Sequence, residues 1–212
     1  MDKTGVVMRN PLFAGLTERQ VRACLAACSA TVKSYRKGEL LHRGGTAFRQ
    51  FGIVLSGTVY VLRMEADGEE TLMNSVTVGQ SFGESHCILQ SPQPNVWVQA
   101  TEDCEVLWLS AQKLCGDGEM AARFTRMLAQ RTLMMNDRIQ ILSKRTIREK
   151  LMTLFSLLAR QAGGDTFNAP FDRSGMATYL GSDRSAVSRE LARLKREGRI
   201  DYYRNSFRIL KK

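Results

Sequence analysis

The sequence is short of what most enzymes, membrane proteins and secreted scaffolds depend on. Two histidines stand in 212 residues. No nucleophile–base–orienter set can be assembled around them, no H-x-x-x-H ligand spacing occurs, and there is no glycine-rich phosphate loop. The chain is therefore expected not to be an enzyme. The longest apolar run, "LMTLFSLLA" from Leu151, stops well short of the roughly 20 residues a bilayer span requires. The opening "MDKTGVVMRNPLF" lacks the apolar core and cleavage site of a signal peptide, so a cytoplasmic location without a membrane partner is expected. Five cysteines, an odd number and scattered, fit reduced thiols better than a disulfide framework. Internal repeats and low-complexity stretches are absent from the sequence.

Acid is also scarce, and unevenly so. The chain carries 31 Lys+Arg against 21 Asp+Glu, a net charge of +10. Residues 145–212 hold 15 basic and 7 acidic side chains, a surplus of +8; residues 1–144 hold 16 and 14, a surplus of +2. A nearly neutral module joined to a basic one suggests that the last third meets a polyanion. Hydrophobic content of 43% is enough for real cores in both.

The first 30 residues are helical in rhythm. In "LTERQVRACLAAC", Thr17 is a helix cap with Gln20 three residues on, backed by Leu16, Val21 and Leu25. After Tyr35 come short β-branched or aromatic runs, "KGELL", "FGIVLSGTVYVLRM", "ETLMNSVTVG" and "VWVQATEDCEVLWLS". Gly38, Ser56-Gly57, Asp67-Gly68 and Gly79 punctuate them, which predicts an antiparallel sandwich or barrel. From about Gly118 the chain turns helical, and Leu128, Thr132, Met135, Ile139 and Leu142 recur at spacings of four and three. Such a seam either packs on its own barrel or pairs with a second copy. Pairing is favoured, with Arg131 and Arg138 as solvated flanks.

In the last third, "TIREKLMTLFSLLARQ" places Ile147, Leu151, Leu154, Phe155 and Leu158 on one helix face. Two short helices, "SGMATYL" and "DRSAVSRELARLKRE", then meet at Gly181, and "GRIDYYRNSFRIL" reads as two small strands around Arg204-Asn205-Ser206. A glycine between two short helices suits a helix-turn-helix, with Ser182 or Asp183 capping the second helix. Val187, Leu191 and Leu194 would anchor that helix on Met176 and Leu180. Ser185, Ser188, Arg189, Ala192 and Arg196 fall on the opposite face, with Arg184 at the N-terminal shoulder. A short, cationic, hydrogen-bonding face suits the major groove, where arginine can hold guanine O6 and N7 with two bonds. The trailing strands would form a wing offering Tyr203, Arg204 and Asn205.

This order, with "YRKGELLHRGG", "GIVLSGTVYVL", "VGQSFGES", "WVQATEDCEVLWLS" and "MATYLGSDRSAVSRELARLKREGRI", resembles the Crp–Fnr superfamily of bacterial transcription regulators. The resemblance implies an α+β chain: an N-terminal antiparallel β-roll of the cyclic-nucleotide-binding type (1–116), a dimerisation helix (117–144) and a winged helix-turn-helix (145–212). It implies a homodimer on double-stranded DNA, with RNA polymerase as a further partner of an activator. Arg184, Ser185, Ser188 and Arg189 occupy the family's base-reading stretch, and Arg173 matches a position that commonly touches phosphate. Several members carry glutamate where Ser185 stands, so a different operator is implied. The effector pocket by resemblance comprises Gly83, Glu84, Pro94, Asn95, Met135 and Asn136. Cyclic-nucleotide binders pair Gly-Glu with a downstream Arg-Ser; here Gly83-Glu84 is present, but Pro94-Asn95 holds the Arg-Ser place. A phosphate buried without its cation would cost on the order of several kcal/mol. Met135 and Asn136 also replace the Thr-Ser pair of cyclic-AMP sensors. The expectation is an effector other than cyclic AMP used in the usual way, or none. Iron–sulfur members use an N-terminal cysteine cluster, whereas Cys24 and Cys28 stand i, i+4 without a third nearby. Cys87, Cys104 and Cys115 are scattered through the barrel, and the thiols read as structural. His42 and His86 could each ligate haem, but neither has a convincing partner. No metal site is assigned. Two alternatives are an iron–sulfur or haem sensor with the same DNA output, and a nucleotide-sensing subunit acting on a protein partner.

Overall fold

A computed structural model describes residues 3–65, 67–90, 92 and 94–210. The chain packs as two compact units that divide between Ala129 and Gln130. The first opens with α1 (Lys3–Val7), a 3-10 turn (Pro11–Phe13) and α2 (Glu18–Ala27). The start of α2 is the predicted capping box: the Gln20 N–H donates to Thr17 Oγ1, and the Thr17 N–H donates back to Gln20 Oε1 at 2.9 Å.

The strands follow as β1 (Thr31–Tyr35), β2 (Leu40–His42), β3 (Phe51–Ser56), β4 (Val59–Met64), β5 (Glu70–Val76) and β6 (Ser81–Phe82). Then come α3 (Glu84–Leu89), β7 (Val96–Ala100), β8 (Cys104–Leu109) and α4 (Ala111–Cys115). They form two four-stranded antiparallel sheets, ordered β1-β8-β3-β6 and β2-β7-β4-β5. The inner faces meet in one apolar core. β7 alternates, burying Val96, Val98 and Ala100, as a strand wetted on one side should. In β3 five consecutive residues, Phe51 to Leu55, are buried, so period two is lost there.

The long helix α5 (Gly118–Leu142) serves more than one environment. Its first half gives Met120, Phe124 and Met127 to the barrel core, where Phe124 meets Phe51 with ring centroids 5.4 Å apart. Near its end Ile141 is fully buried in the other core. Of the predicted seam, Leu128 packs against the barrel while Met135 and Ile139 are exposed. Arg138, expected as a solvated edge charge, is exposed, and its guanidinium lies 5.4 Å from the Tyr179 ring.

The second unit continues with α6 (Ile147–Ala162), β9 (Thr166–Asn168), α7 (Arg173–Leu180), α8 (Arg184–Arg196), β10 (Ile200–Tyr203) and β11 (Ser206–Ile209). Thr146 and Glu149 form a second capping box at the start of α6. Leu151, Leu154 and Phe155 of α6 are buried as predicted, against Met176, Leu180, Val187, Leu191, Leu194 and Phe207. The wing is a three-stranded sheet, β10-β11-β9, and not a two-stranded ribbon: Phe167 of β9 pairs in register with Phe207.

Candidate nucleic-acid interface and effector cassette

α7 and α8 meet at a turn that the sequence dictates. The Asp172 side chain accepts from the Gly175 N–H at 2.7 Å and starts α7. Gly181 ends it at φ 58, a left-handed conformation that costs other L-residues about 1–2 kcal/mol. The N–H groups of Gly181 and Ser182 then close on the carbonyls of Thr178 and Ala177. Lys150 donates to the Leu180 carbonyl at 3.0 Å and secures the turn from α6. Asp183 occupies the cap position of α8 without a side-chain capping bond.

α8 is divided by face. Val187, Leu191 and Leu194 are almost wholly buried. Arg184, Ser185, Ser188 and Arg189 are all exposed, as are Ala192 and Arg196. The structure therefore brings four of the five expected DNA-contacting residues together on one open surface. Two serines and an alanine between the arginines leave little bulk in the way of close approach.

Much of the remaining charge near α8 is spent on holding it. Arg148 of α6 donates from Nε to Glu190 at 2.8 Å and from Nη2 to Glu197. Arg193 also bonds Glu197, at 3.0 Å. The Arg148 guanidinium holds the Glu197 carboxyl below its ordinary value, and Lys195 does the same to Asp201 from 2.7 Å. The sequence reading missed this clamp. Its signal was available: two glutamates seven residues apart on a helix otherwise rich in arginine and lysine.

Arg173 is the fifth expected residue, and it is placed differently. It is half-buried, its Nη2 donates to the Arg204 carbonyl at 2.9 Å, and its guanidinium lies 4.9 Å from the Tyr202 ring and 5.0 Å from that of Phe207.

In the barrel, Gly83 and Glu84 begin α3, and Glu84 is buried. Gly83 has φ 82, and a Cβ on it would lie 2.8 Å from the Phe48 ring. Phe48 is in turn stacked on His42, with centroids 3.5 Å apart, and faces His86 at 5.5 Å. Sequence reading did not foresee this His–Phe–His stack, because its members lie on three separate segments. Pro94 and Asn95 are exposed. Met135 and Asn136 belong to the second unit and are exposed there.

Burial, and then the nearby His86, lowers the pKa of His42. Its Nε2 is buried with no hydrogen-bond partner among the described residues. A base whose folded pKa is lowered adds stability above its unfolded value near 6.5 that is lost as pH falls. Acidification from pH 7 to 5 should therefore lower the barrel melting temperature, followed through Trp97 and Trp108 fluorescence. His42→Phe, which keeps a ring on Phe48, should flatten that dependence; an equally steep fall in the variant would contradict the role of His42.

Four of the five thiols are placed as quiet residues, while Cys115, also read as structural, is exposed. Cys24 and Cys28 have sulfurs 3.9 Å apart. Burial, with Cys28 beside it, pushes the Cys24 thiol up to about 12, and burial also raises Cys28, Cys87 and Cys104. Such groups are protonated at neutral pH and are poor nucleophiles. Among the described residues no group of three or more His, Cys, Asp or Glu is arranged to hold a metal ion, and no helix is long and apolar enough to cross a membrane.

Two known domain types match the chain. A family model of the cyclic nucleotide-binding domain matches residues 32–115, and one of the Crp-like helix-turn-helix domain matches residues 149–212. The chain is 26% identical over 193 residues to the Cyclic AMP receptor protein of Thermus thermophilus, covering 89% of this chain and 87% of that one. It is 25% identical over 178 residues to Electron transport regulator A of Shewanella oneidensis, covering 80% and 70%. The solved structure of CprK complexed with OCPA superposes with a TM-score of 0.64 at 18% identity, over 91% of each chain, a likeness of fold. With a cyclic nucleotide-binding domain ahead of a Crp-like helix-turn-helix, and relatives that match it along most of their length, the protein belongs to the Crp–Fnr superfamily of transcription regulators.

Proposed function

We propose that the protein works in the cytoplasm as a homodimeric, sequence-specific DNA-binding regulator, with an effector other than cyclic AMP or with none. Residues 1–116 form the effector part, 117–144 the pairing helix and 145–212 the DNA-binding part, with RNA polymerase as a further partner at activated promoters. One observation carries the reading: α8 buries its apolar face completely and leaves Arg184, Ser185, Ser188 and Arg189 open. Any amphipathic surface helix separates its faces; what distinguishes α8 is the left-handed Gly181 turn that sets it against α7 and the short side chains between its exposed arginines. Binding-site selection followed by footprinting tests it. The expected result is a protected palindrome with half-sites one helical turn, about 34–36 Å, apart. Protection of no sequence at all would overturn it.

Pairing is supported by α5, where Met135, Ile139 and Leu142 stand at i, i+4 and i+7 on one face, the first two more than 60% exposed and Leu142 38% exposed. Burying one such side chain is worth about 1.5–3 kcal/mol, so a stripe of them favours a second copy. Ile139→Glu should shift the protein from dimer to monomer in sedimentation and weaken operator binding with it. A dimer unaffected by that change would place pairing elsewhere.

The effector reading rests on what lines the cassette. The residues present do not fit a cyclic phosphate: Pro94 and Asn95 supply no cation, and Phe48, stacked on His42, crowds Gly83. Calorimetry should detect no cyclic AMP binding in the micromolar range; micromolar affinity would refute this part.

A further inference from the structure

Two of the thiols meet at the end of α2. Cys24 and Cys28 stand one helical turn apart, and their sulfurs are 3.9 Å from each other. The backbone beneath them is tied down. The Cys28 N–H donates to the Cys24 carbonyl at 2.9 Å, and the Ser29 and Ala30 N–H groups close on the carbonyls of Ala26 and Leu25. Ser29, at φ 53, ends the helix in left-handed backbone. Cys28 is 2% exposed, whereas Cys24 is only half-buried, so the pair is reached from the Cys24 side.

The spacing discriminates between the things two thiols can do. A disulfide needs its sulfurs about 2.05 Å apart, roughly 1.9 Å closer than they stand. An ion held in line between two thiolates needs them about 4.6 Å apart, twice a metal–sulfur bond of about 2.3 Å. A small turn of the partly open Cys24 side chain supplies that difference. Zinc takes four ligands, and among the described residues no group of three or more His, Cys, Asp or Glu is arranged for a metal. The carboxylate whose charge reaches the pair, Asp117, is already engaged by the Glu119 and Met120 N–H groups at the start of α5. Two soft sulfurs with no free hard ligand beside them select a soft monovalent ion, copper(I).

We infer that Cys24 and Cys28 form a two-coordinate copper(I) site. The ion replaces one proton on each thiol, which gives an S–Cu–S unit of charge −1 and two released protons; no electron is transferred. Lys113, whose Nζ donates to Ser29 Oγ at 2.5 Å, is the cation whose charge reaches Cys28 and offsets that of the complex. Cys115 of α4 acts on Cys28 through its charge but is exposed and stands outside the pair. The inference is independent of the DNA-binding reading.

The test is a titration of the reduced full-length protein with copper(I), without oxygen, against a coloured diimine chelator. One ion per chain should be withheld from the chelator. Its affinity should rise about 100-fold per pH unit between about pH 6 and 8, because two protons are displaced. Cys24→Ala and Cys28→Ala should each abolish the retained ion. Cys24 is partly open, so its variant should melt like the wild type and its loss of copper is then not a loss of fold. Cys87→Ala, Cys104→Ala and Cys115→Ala should each keep the ion, and X-ray absorption should show two sulfur neighbours. Retention by Cys24→Ala, loss in Cys115→Ala or a third sulfur neighbour would overturn the pair as the site. So would a wild-type protein that yields all its copper to the chelator. None of these results bears on DNA binding, which footprinting tests separately.

Discussion

Arg189→Ala should cost the protein its preference for its own operator while leaving its fold and its general attraction to DNA largely in place. Arg189 lies on the open face of α8, one residue from Ser188 and two from the buried Val187, so the helix fixes its position without burying its head. A bidentate arginine–guanine pair is worth roughly 1–3 kcal/mol of discrimination. That is about 5–150-fold per half-site, and the effect is multiplied when two subunits bind a palindrome. Non-specific affinity comes from many phosphate contacts and should fall far less. Competition titrations of operator against random duplex at one salt concentration separate the two terms. An equal loss on both would show that Arg189 serves as one more charge, and base reading would then have to come from Arg184. The melting temperature should not move, because the side chain makes no contribution to the core.

The part of the architecture legible in the sequence was the part in which each residue has one task. The face of α8 could be divided correctly because Val187, Leu191 and Leu194 serve a single core and their spacing is uninterrupted. Gly181 could be placed at a turn because left-handed backbone leaves few other choices. The long helix was legible in part. A heptad-like count selected Leu128, Thr132, Met135, Ile139 and Leu142, of which Met135 and Ile139 are exposed in the single chain, as residues that meet a second copy would be. The same count passed over Met120, Phe124 and Met127, which serve the barrel, and Ile141, which serves the second unit. Several apolar patterns overlie one another along the same 25 residues, and a single periodicity follows only one of them. β9 escaped because three residues cannot display an alternation.

At the candidate site the limit was of a different kind. The sequence identifies which side chains carry charge and not where the charge is used. A surplus of +8 in residues 145–212 suggested a polyanion, yet Arg148, Arg193 and Lys195 spend their charge on glutamates and an aspartate of the same unit, and Arg173 on two aromatic rings. These internal pairs hold α8 and the wing in register, so the surplus and the surface are related but not identical. Exposed ion pairs are worth little singly. Here they converge on one helix from two directions, so their effect is on its orientation more than on net stability.

That orientation depends finally on the core beneath, which sets the largest expected loss. Phe155 of α6 is fully buried, with ring centroids 4.7 Å from Phe207 of the wing and 5.5 Å from Phe167 of β9. Its ring is where α6 and two strands of the wing sheet meet. Phe155→Ala removes it and leaves a cavity among side chains that cannot all close inward, at a cost of about 3–5 kcal/mol. Domains hold roughly 0.05–0.15 kcal/mol per residue in reserve, so a unit of this size retains little. Its melting temperature should fall by about 12 °C or more, and operator binding should be lost near physiological temperature even though no contacting residue has changed. The barrel has a separate core, so the fluorescence transition of Trp97 and Trp108 should stay where it is while the far-UV helical signal melts early. Phe155→Leu, which refills most of the space, should restore much of the binding. If Phe155→Ala melted like the wild type, the ring cluster would not support the reading helix, and the ion-pair clamp of Arg148 would have to hold it unaided.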